Sequence, residues 1–397
     1  MSHGPDADVL IAGAGPAGAV AATLLARAGA RVLVVDRARF PRDKLCGDTL
    51  NPGTLATLRR LGIDPDPIET AGLRVDGMVV TGETGVRVAG AYPAPLHGRA
   101  LTRRDVDAWL VAEARAAGAQ VEEGVTVRRA TVDPATGRVG GLVIATAQGA
   151  RVLRAPVTIA ADGRHSAVAF GLGLARHPVA PRRWAVGGYF EQVDGLSAFG
   201  EMHVRRRHYL GIAPVPGGLA NVCAVLAPGA GTPFDGLFGD PARLIETAVR
   251  ADPVVAARFA RARAVAPPVV LGPLAVVSAG RPPDGLLIAG DAAGFVDPMT
   301  GDGLHFAVRG ADLAAQAALE ALAHGWDGVS ARVARRARHL LAGKRRFNRA
   351  LRALVGSPAA MSAAAWGAAL APDLLRRIIC VAGDTGVAVR QPEWGHV

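Results

Sequence analysis

The chain has 397 residues, half of them hydrophobic and a fifth charged, a composition that excludes a disordered polymer and fits a well-cored globular protein. Its formal charge of +11 rests on 45 basic against 34 acidic residues, only Lys44 and Lys344 being lysines. The arginines are scattered among Ala, Gly and Val without interleaved aromatics or a reading helix, which argues against nucleic acid and for a solvated or anion-attracting surface.

The first predicted elements fall within residues 8 to 36. Val9 to Ala12 form an apolar strand, Gly13-Ala14-Gly15-Pro16-Ala17-Gly18 supply GxGxxG, Ala19 to Ala28 suit a helix, and Arg31 to Val35 run as a strand into Asp36. Each part serves a dinucleotide. Gly13 permits a tight turn, Gly15 lets the backbone approach a pyrophosphate, Gly18 lets helix and strand pack closely, and the helix N-terminus offers free N–H groups. Asp36 can accept hydrogen bonds from a ribose. Asp8 and the lack of a basic leading segment argue against a secretion signal.

Residues 73 to 97 read as short β runs. Arg103 to Ala117 is helical, with Val106, Leu110 and Ala114 at helical spacing, and Ala119 to Glu122 is strand-like. Between 177 and 280, Trp184 to Phe190, His208 to Pro214 and Leu219 to Leu226 read as strands broken by Gly and Pro. Leu286 to Gly290 is again a buried parallel strand, 303 to 323 an Ala-rich helix, and the chain from about 330 is helical and rich in Ala and Arg. The predicted organisation is α/β. A discontinuous nucleotide domain takes 1–72, 98–176 and 281–330, a mostly antiparallel β domain takes 73–97 and 177–280, and 331–397 form a helical C-terminal region.

Cys46, Cys223 and Cys380 are too few and too widely spaced for a disulfide framework, and no CxxC pair suggests a metal. No apolar run has the length of a membrane span. A cytoplasmic protein is expected, with peripheral membrane contact through the basic segment Ala331 to Ile379 as an open alternative to a helical cap with solvated arginines.

Two further motifs stand beside the first: Ala161-Asp162-Gly163-Arg164 after the apolar Val157 to Ala160, and the run Gly290-Asp291 to Gly301-Asp302-Gly303. In that order the trio resembles the FAD-dependent oxidoreductases that include aromatic-ring hydroxylases, flavin-dependent halogenases and geranylgeranyl reductases, over residues 8 to about 320. Phe40-Pro41-Arg42-Asp43-Lys44-Leu45-Cys46-Gly47, the PxTGxG form of the third motif, and Tyr209 to Pro214 look most like the geranylgeranyl reductase branch. The resemblance implies a Rossmann-like FAD-binding domain of the discontinuous GR2 type, an inserted antiparallel β-sheet substrate domain and a helical C-terminal cap.

It also implies a set of cofactor residues. Gly13, Gly15 and Gly18 would line the FAD pyrophosphate, Asp36 the adenosine ribose, Arg103 a neighbouring phosphate or the ribityl region, and Asp291 the ribityl and pyrophosphate section. Gly301 and Gly303 precede a helix whose N-terminus would face the flavin N1 and C2 carbonyl, where partial positive charge stabilises anionic reduced flavin. Asp162 and Gly163 would pack behind the cofactor and contact FAD and nicotinamide. Pro16, Ala17, Arg37, Lys44, Cys46, Gly47 and Leu304 complete the set.

For the chemistry, Cys46 follows the basic Arg42 and Lys44, which favour a thiolate, and His208 is the acid–base candidate by residue type. Trp184, Tyr189, Tyr209 and Pro298 are the candidate substrate-pocket residues. No metal is expected. The halogenase-type tryptophan strand is absent. With no second GxGxxG in a βαβ setting, NADPH or NADH would bind transiently, or an external reductase would supply electrons. The expected function is FAD-dependent, NAD(P)H-linked oxidation of a small hydrophobic molecule, with monooxygenation first. The alternative is reduction of carbon–carbon double bonds in an isoprenoid or other lipophilic substrate, and a remote one is a non-catalytic nucleotide-binding or basic membrane-surface protein.

Overall fold

The computed structural model describes residues 4–83, 86–147, 149–180, 183–206, 208–226, 234–295, 299, 301–355 and 372–386. A five-stranded, all-parallel sheet runs in the order Leu286–Ile288, Val157–Ala160, Val9–Ala12, Val32–Asp36, Gln120–Glu123. Its central strands are continuous apolar runs because both faces are covered. Helices Pro16–Arg27, Arg103–Ala116 and Gly303–His324 pack over one face through Val20, Leu25, Val106, Leu110, Val308 and Ala311.

The other face is covered by an antiparallel meander, Thr126–Val132, Val139–Thr146 and Gly149–Arg154, through Ala130, Leu142, Ile144 and Leu153. The αβ alternation read from the sequence did not anticipate it. Its signal is an Asp133-to-Gly137 turn between two alternating apolar stretches, the pattern of a hairpin.

Gly13 explains how the first motif turns. Its φ is +94°, and a Cβ there would stand 2.5 Å from the Ala161 carbonyl oxygen. Gly18 admits no side chain either, since the helix passes directly against the Gly13 carbonyl. The loop is thereby pulled onto the strand end, with Pro16 at the first position of the helix.

A second, larger sheet is built from two distant stretches. Its order is Arg263–Ala264, Trp184–Glu191, Leu219–Leu226, His208–Val215, Phe199–Arg205, Gly77–Thr81, Arg87–Ala91, with Val269–Leu271 also on Trp184–Glu191. All pairings are antiparallel except Phe199–Arg205 with Gly77–Thr81. One face packs on helix Pro241–Arg250 through Val186, Leu210, Val222, Leu244 and Ile245. The register places Val204, Tyr209, Val225 and Ala185 in one row of the opposite face, and Val80, Met202, Gly211, Cys223 and Gly187 in the next.

Helices Val329–Val355 and Pro372–Ala382 close the described chain. Leu351 reaches the cluster of Met78, Met202 and Met299. The strand Arg87–Ala91 has glycine at 90 where Ile379 comes down on it. Among the described residues, no helix is long and apolar enough to cross a membrane.

Candidate active site

Where the parallel sheet meets the second sheet lies an open cleft of about 1030 Å³. Its walls come from every motif read in the sequence: Gly15, Pro16 and Ala17 from the first turn, Lys44 to Thr49 from the loop after the second strand, Arg103, then Gly163 and Arg164, Asp291, and Gly301, Gly303 and Leu304. A second cavity of about 560 Å³ shares Gly47, Thr49, Cys223 and Gly301 with the cleft and continues beneath the second sheet. Met78, Met202, Tyr209, Ile212, Val225 and Met299 line it.

The loop between the two cavities is held by a residue the motifs did not single out. Asp48, fully buried with φ +52°, accepts hydrogen bonds from the Tyr189 hydroxyl and Asn221 Nδ2, both at 2.6 Å, and from the Arg103 amide at 3.2 Å. Asn221 Nδ2 also donates to the Cys46 carbonyl at 2.7 Å. Tyr189 and Asn221 are register partners on the second sheet, so one carboxylate ties the Cys46–Gly47 turn to that sheet. Burial pushes Asp48 up to about 6, against the pull of the Tyr189 and Asn221 hydrogen bonds and of Arg103.

Arg103 is equally fixed. Its Nε and Nη2 donate to the two oxygens of Asp107, each at 2.7 Å, and Arg42 Nη2 stands 2.9 Å from the same carboxylate. Burial opposes the Arg103 charge, but Asp107 and then the neighbouring Cys46 outweigh it and hold the guanidinium above its ordinary value. Lys44 enters the cleft with no ion pair among the described residues. Burial, then Arg103, pushes its ammonium down, while Asp291 works the other way. A half-enclosed cation beside open cleft is a place for an anion.

Residues 6–227 match the FAD binding domain family. The menaquinone reductase of Mycobacterium tuberculosis is 32% identical over 329 residues, covering 80% of this chain and 77% of that protein. The chain belongs to the FAD-binding-domain family. This flavoprotein is also 31% identical over 326 residues to digeranylgeranylglycerophospholipid reductase 2 of Methanopyrus kandleri, covering 79% of this chain and 77% of that one. Among solved structures, the flavin-dependent brominase Bmp2 superposes with a TM-score of 0.82 over 95% of this chain and 93% of its own, at 20% identity. That last likeness speaks for the fold alone. The protein is an FAD-dependent oxidoreductase of the superfamily that the three motifs resembled.

The cleft fits FAD by its own geometry. At Gly47, Gly163 and Gly303 nothing lies within 4 Å of where a Cβ would stand, and at Gly15 only Arg42 Nη2 at 3.6 Å. These glycines leave wall space that a side chain would fill. In this flavoprotein Gly15, Pro16 and Ala17 would hold the pyrophosphate at the helix N-terminus, with Lys44 and Arg164 as cations and Asp291 as acceptor for ribityl hydroxyls. Gly301, Gly303 and Leu304 would face the isoalloxazine. When bound, FAD supplies the two-electron redox chemistry of the site.

Other expected residues stand back from the cleft. Gly13 and Gly18 shape the turn without lining it. The Asp36 carboxylate accepts from the Ala14 and Ala38 amides, both at 2.7 Å, with exposed Arg37 next to it, on the adenosine side of the turn. Asp162 accepts from the Ala167 amide at 2.8 Å and braces the helix start there rather than lining the cleft.

The structure brings Cys46 into the cleft and Tyr209 into the adjoining cavity, but not His208. His208 lines neither cavity. Its ring packs edge-on to Phe234 at 5.0 Å, and burial pushes its pKa down. Alternation along the strand turns it to the helix-covered face, away from Tyr209. Trp184 is likewise elsewhere, packed against Gly272 and 6.0 Å from the Phe238 ring. Tyr189 acts through Asp48 and does not line the cavity. Pro298 lies outside the described residues. No cluster of His, Cys, Asp or Glu able to hold a metal occurs among the described residues.

Proposed function

We propose that this flavoprotein uses NAD(P)H to reduce carbon–carbon double bonds of a lipophilic substrate. The cavity opening off the Gly47 and Gly301 end of the cleft carries this reading. Met78, Met202, Val225 and Met299 supply apolar side chains to its lining, beside the Tyr209 ring and the polar residues Thr49, Glu201 and Asn221. That the menaquinone reductase and the digeranylgeranylglycerophospholipid reductase are both among the relatives above 30% identity supports the same reading.

Saturating a double bond needs a hydride on one carbon and a proton on the other. The hydride would come from NAD(P)H by way of the reduced form of the cofactor held in the cleft. We assign the proton to the Cys46 thiol, which lines the cleft where it joins the apolar cavity. The Arg103 guanidinium beside it, kept cationic by Asp107, would stabilise the thiolate left after donation. Asp48, Tyr189 and Asn221 would hold that turn in place, and the apolar walls would exclude water.

Monooxygenation would use the same cavity, so oxygen is the discriminator. FAD-loaded protein would be reduced anaerobically with NADPH or NADH and mixed with a polyprenyl quinone or a geranylgeranyl lipid. The expected product carries two added hydrogens per saturated bond and forms without oxygen. A product that gains an oxygen atom, formed only in air with matching oxygen uptake, would replace this reading with a monooxygenase. Failure of both nicotinamides to bleach the flavin, with dithionite succeeding, would point to an external reductase.

A further inference from the structure

Behind the cleft, on the far side of residues 301 to 303, lies a buried polar cluster that the chemistry above does not use. Lys344, on helix Val329–Val355 and 8% exposed, places its Nζ 3.0 Å from Asp302 Oδ1 and 2.9 Å from Asp384 Oδ2. The same ammonium donates to the carbonyls of Val381 at 2.6 Å and Ala382 at 2.8 Å, the closing carbonyls of helix Pro372–Ala382. Asn348 Nδ2 donates to Asp302 Oδ2 at 3.1 Å, and Asn51 Nδ2 to Asp302 Oδ1 at 3.3 Å and Asp384 Oδ2 at 3.0 Å. His305 Nε2 stands 3.8 Å from Asp384.

Asp302 occupies a telling place. Gly301 and Gly303 on either side of it line the cleft, and it is the residue before helix Gly303–His324, yet its carboxylate makes no capping bond to that helix. An aspartate at this position normally folds back onto the first amides. Here Lys344, Asn348 and Asn51 draw the carboxylate to the opposite side. Among the described residues no acceptor takes the amides of Gly303 and Leu304, which leaves them to whatever occupies the cleft.

The charges facing the cluster among the described residues are the carboxylates of Asp302 and Asp384 and the ammonium of Lys344. Burial keeps His305 neutral at pH 7, Tyr92 is held protonated by burial and by the two carboxylates, and Arg309 and Arg60 stand further out, Arg60 against Asp312. Without Lys344 two carboxylates would face each other in a poorly screened interior.

We propose that Lys344 sets the reduction potential of the bound flavin from a distance, by neutralising Asp302 and holding its carboxylate off the helix amides that face the isoalloxazine. Loss of the ammonium leaves negative charge behind the flavin and lets Asp302 compete for those amides. Both effects disfavour the anionic reduced cofactor. Because the same nitrogen caps helix Pro372–Ala382, seating of the C-terminal segment and the potential of the flavin become one event. Lys344 is thus a positioning residue that touches neither substrate nor cofactor.

The test is the midpoint potential of the FAD-loaded full chain, measured by dye equilibration. Lys344→Met is expected to shift the two-electron equilibrium at least about tenfold toward oxidised flavin, about 30 mV more negative. Asp302→Ala is expected to shift it the other way, and the double variant to return near the wild type. A Lys344→Met midpoint equal to the wild type, or a double variant as displaced as the single one, would overturn the proposal. Should Lys344→Met fail to take up FAD, Asp302→Ala decides alone: a midpoint unmoved or more negative rejects the assignment.

Discussion

The Tyr189 hydroxyl donates to the Asp48 carboxylate at 2.6 Å across the seam between the substrate-side sheet and the Cys46–Gly47 turn. Asn221 completes the tie at the same oxygen. Truncating Asp48 to Ala takes the acceptor from three donors, the Tyr189 hydroxyl, one Asn221 N–H and the Arg103 amide, which costs about 1–3 kcal/mol for each group not rescued by water. Tyr189→Phe removes one partner only and is expected to cost less. Urea unfolding of the two variants checks the order, and FAD content should fall in Asp48→Ala before it falls in Tyr189→Phe.

Asp48 and His305 give the fold opposite responses to acid. Burial raises Asp48 from 3.8 to about 6, so the native state holds its proton more tightly than the unfolded chain; the stability it contributes is present below the unfolded value and lost as pH rises through about 6. Burial lowers His305 from 6.5 to about 4, so its contribution is present above 6.5 and lost as pH falls through about 4. Each effect is on the order of 3 kcal/mol. Asp48→Asn should therefore gain on the wild type between acid and neutral pH, and His305→Gln should gain on it in the reverse direction. Urea midpoints across that range read both signs.

Gly200 and Gly211 line the apolar cavity, and neither needs to be glycine for its backbone. The nearest atoms to a Cβ there are the Gly77 carbonyl oxygen at 3.9 Å and the Cys223 carbonyl oxygen at 3.8 Å, ordinary contact distances. Gly211→Ala should be neutral or stabilising by about 0.5–1 kcal/mol. Gly211→Leu should keep the fold and the flavin spectrum but fill the cavity, cutting turnover of a bulky lipid about tenfold or more. A Gly211→Leu variant as active as the parent on such a lipid would remove the cavity from the substrate path.

Helix Val329–Val355 has no acidic residue, and Arg335, Arg336, Arg338, Arg346 and Arg349 on it are exposed, beside the 45%-exposed Leu340. Such a surface should bind vesicles containing phosphatidylserine and release them at high salt, each arginine near the surface contributing about 1 kcal/mol. Arg335→Glu with Arg338→Glu should abolish cosedimentation. Retention on neutral phosphatidylcholine vesicles at high salt would argue for apolar contact instead.

The parallel sheet and its cofactor turn were legible because they obey local rules: an apolar strand, glycines at fixed offsets, a helix and an acid. The cleft positions of Cys46, Lys44, Asp291 and Gly303 were legible as parts of motifs, and that of Arg103 through the family resemblance alone. Asp48 was not. Its importance comes from Tyr189 and Asn221, well over a hundred residues away, and an aspartate after Cys-Gly carries no pattern of its own. His208 and Trp184 misled because residue type says nothing about which sheet face a strand buries, which one residue of register reverses. The Lys344 cluster joins segments from 51 to 384, and only the packed fold brings them together.

Both lysines of the chain are committed inside it, Lys44 to the cleft and Lys344 to the C-terminal cluster. Lysine acylation therefore works as a two-channel reporter on this molecule. Labelling at 44 reads whether the cofactor is in place, and labelling at 344 reads whether the tail has lifted. On a surface whose cations are arginines, no exposed lysine adds background to either signal.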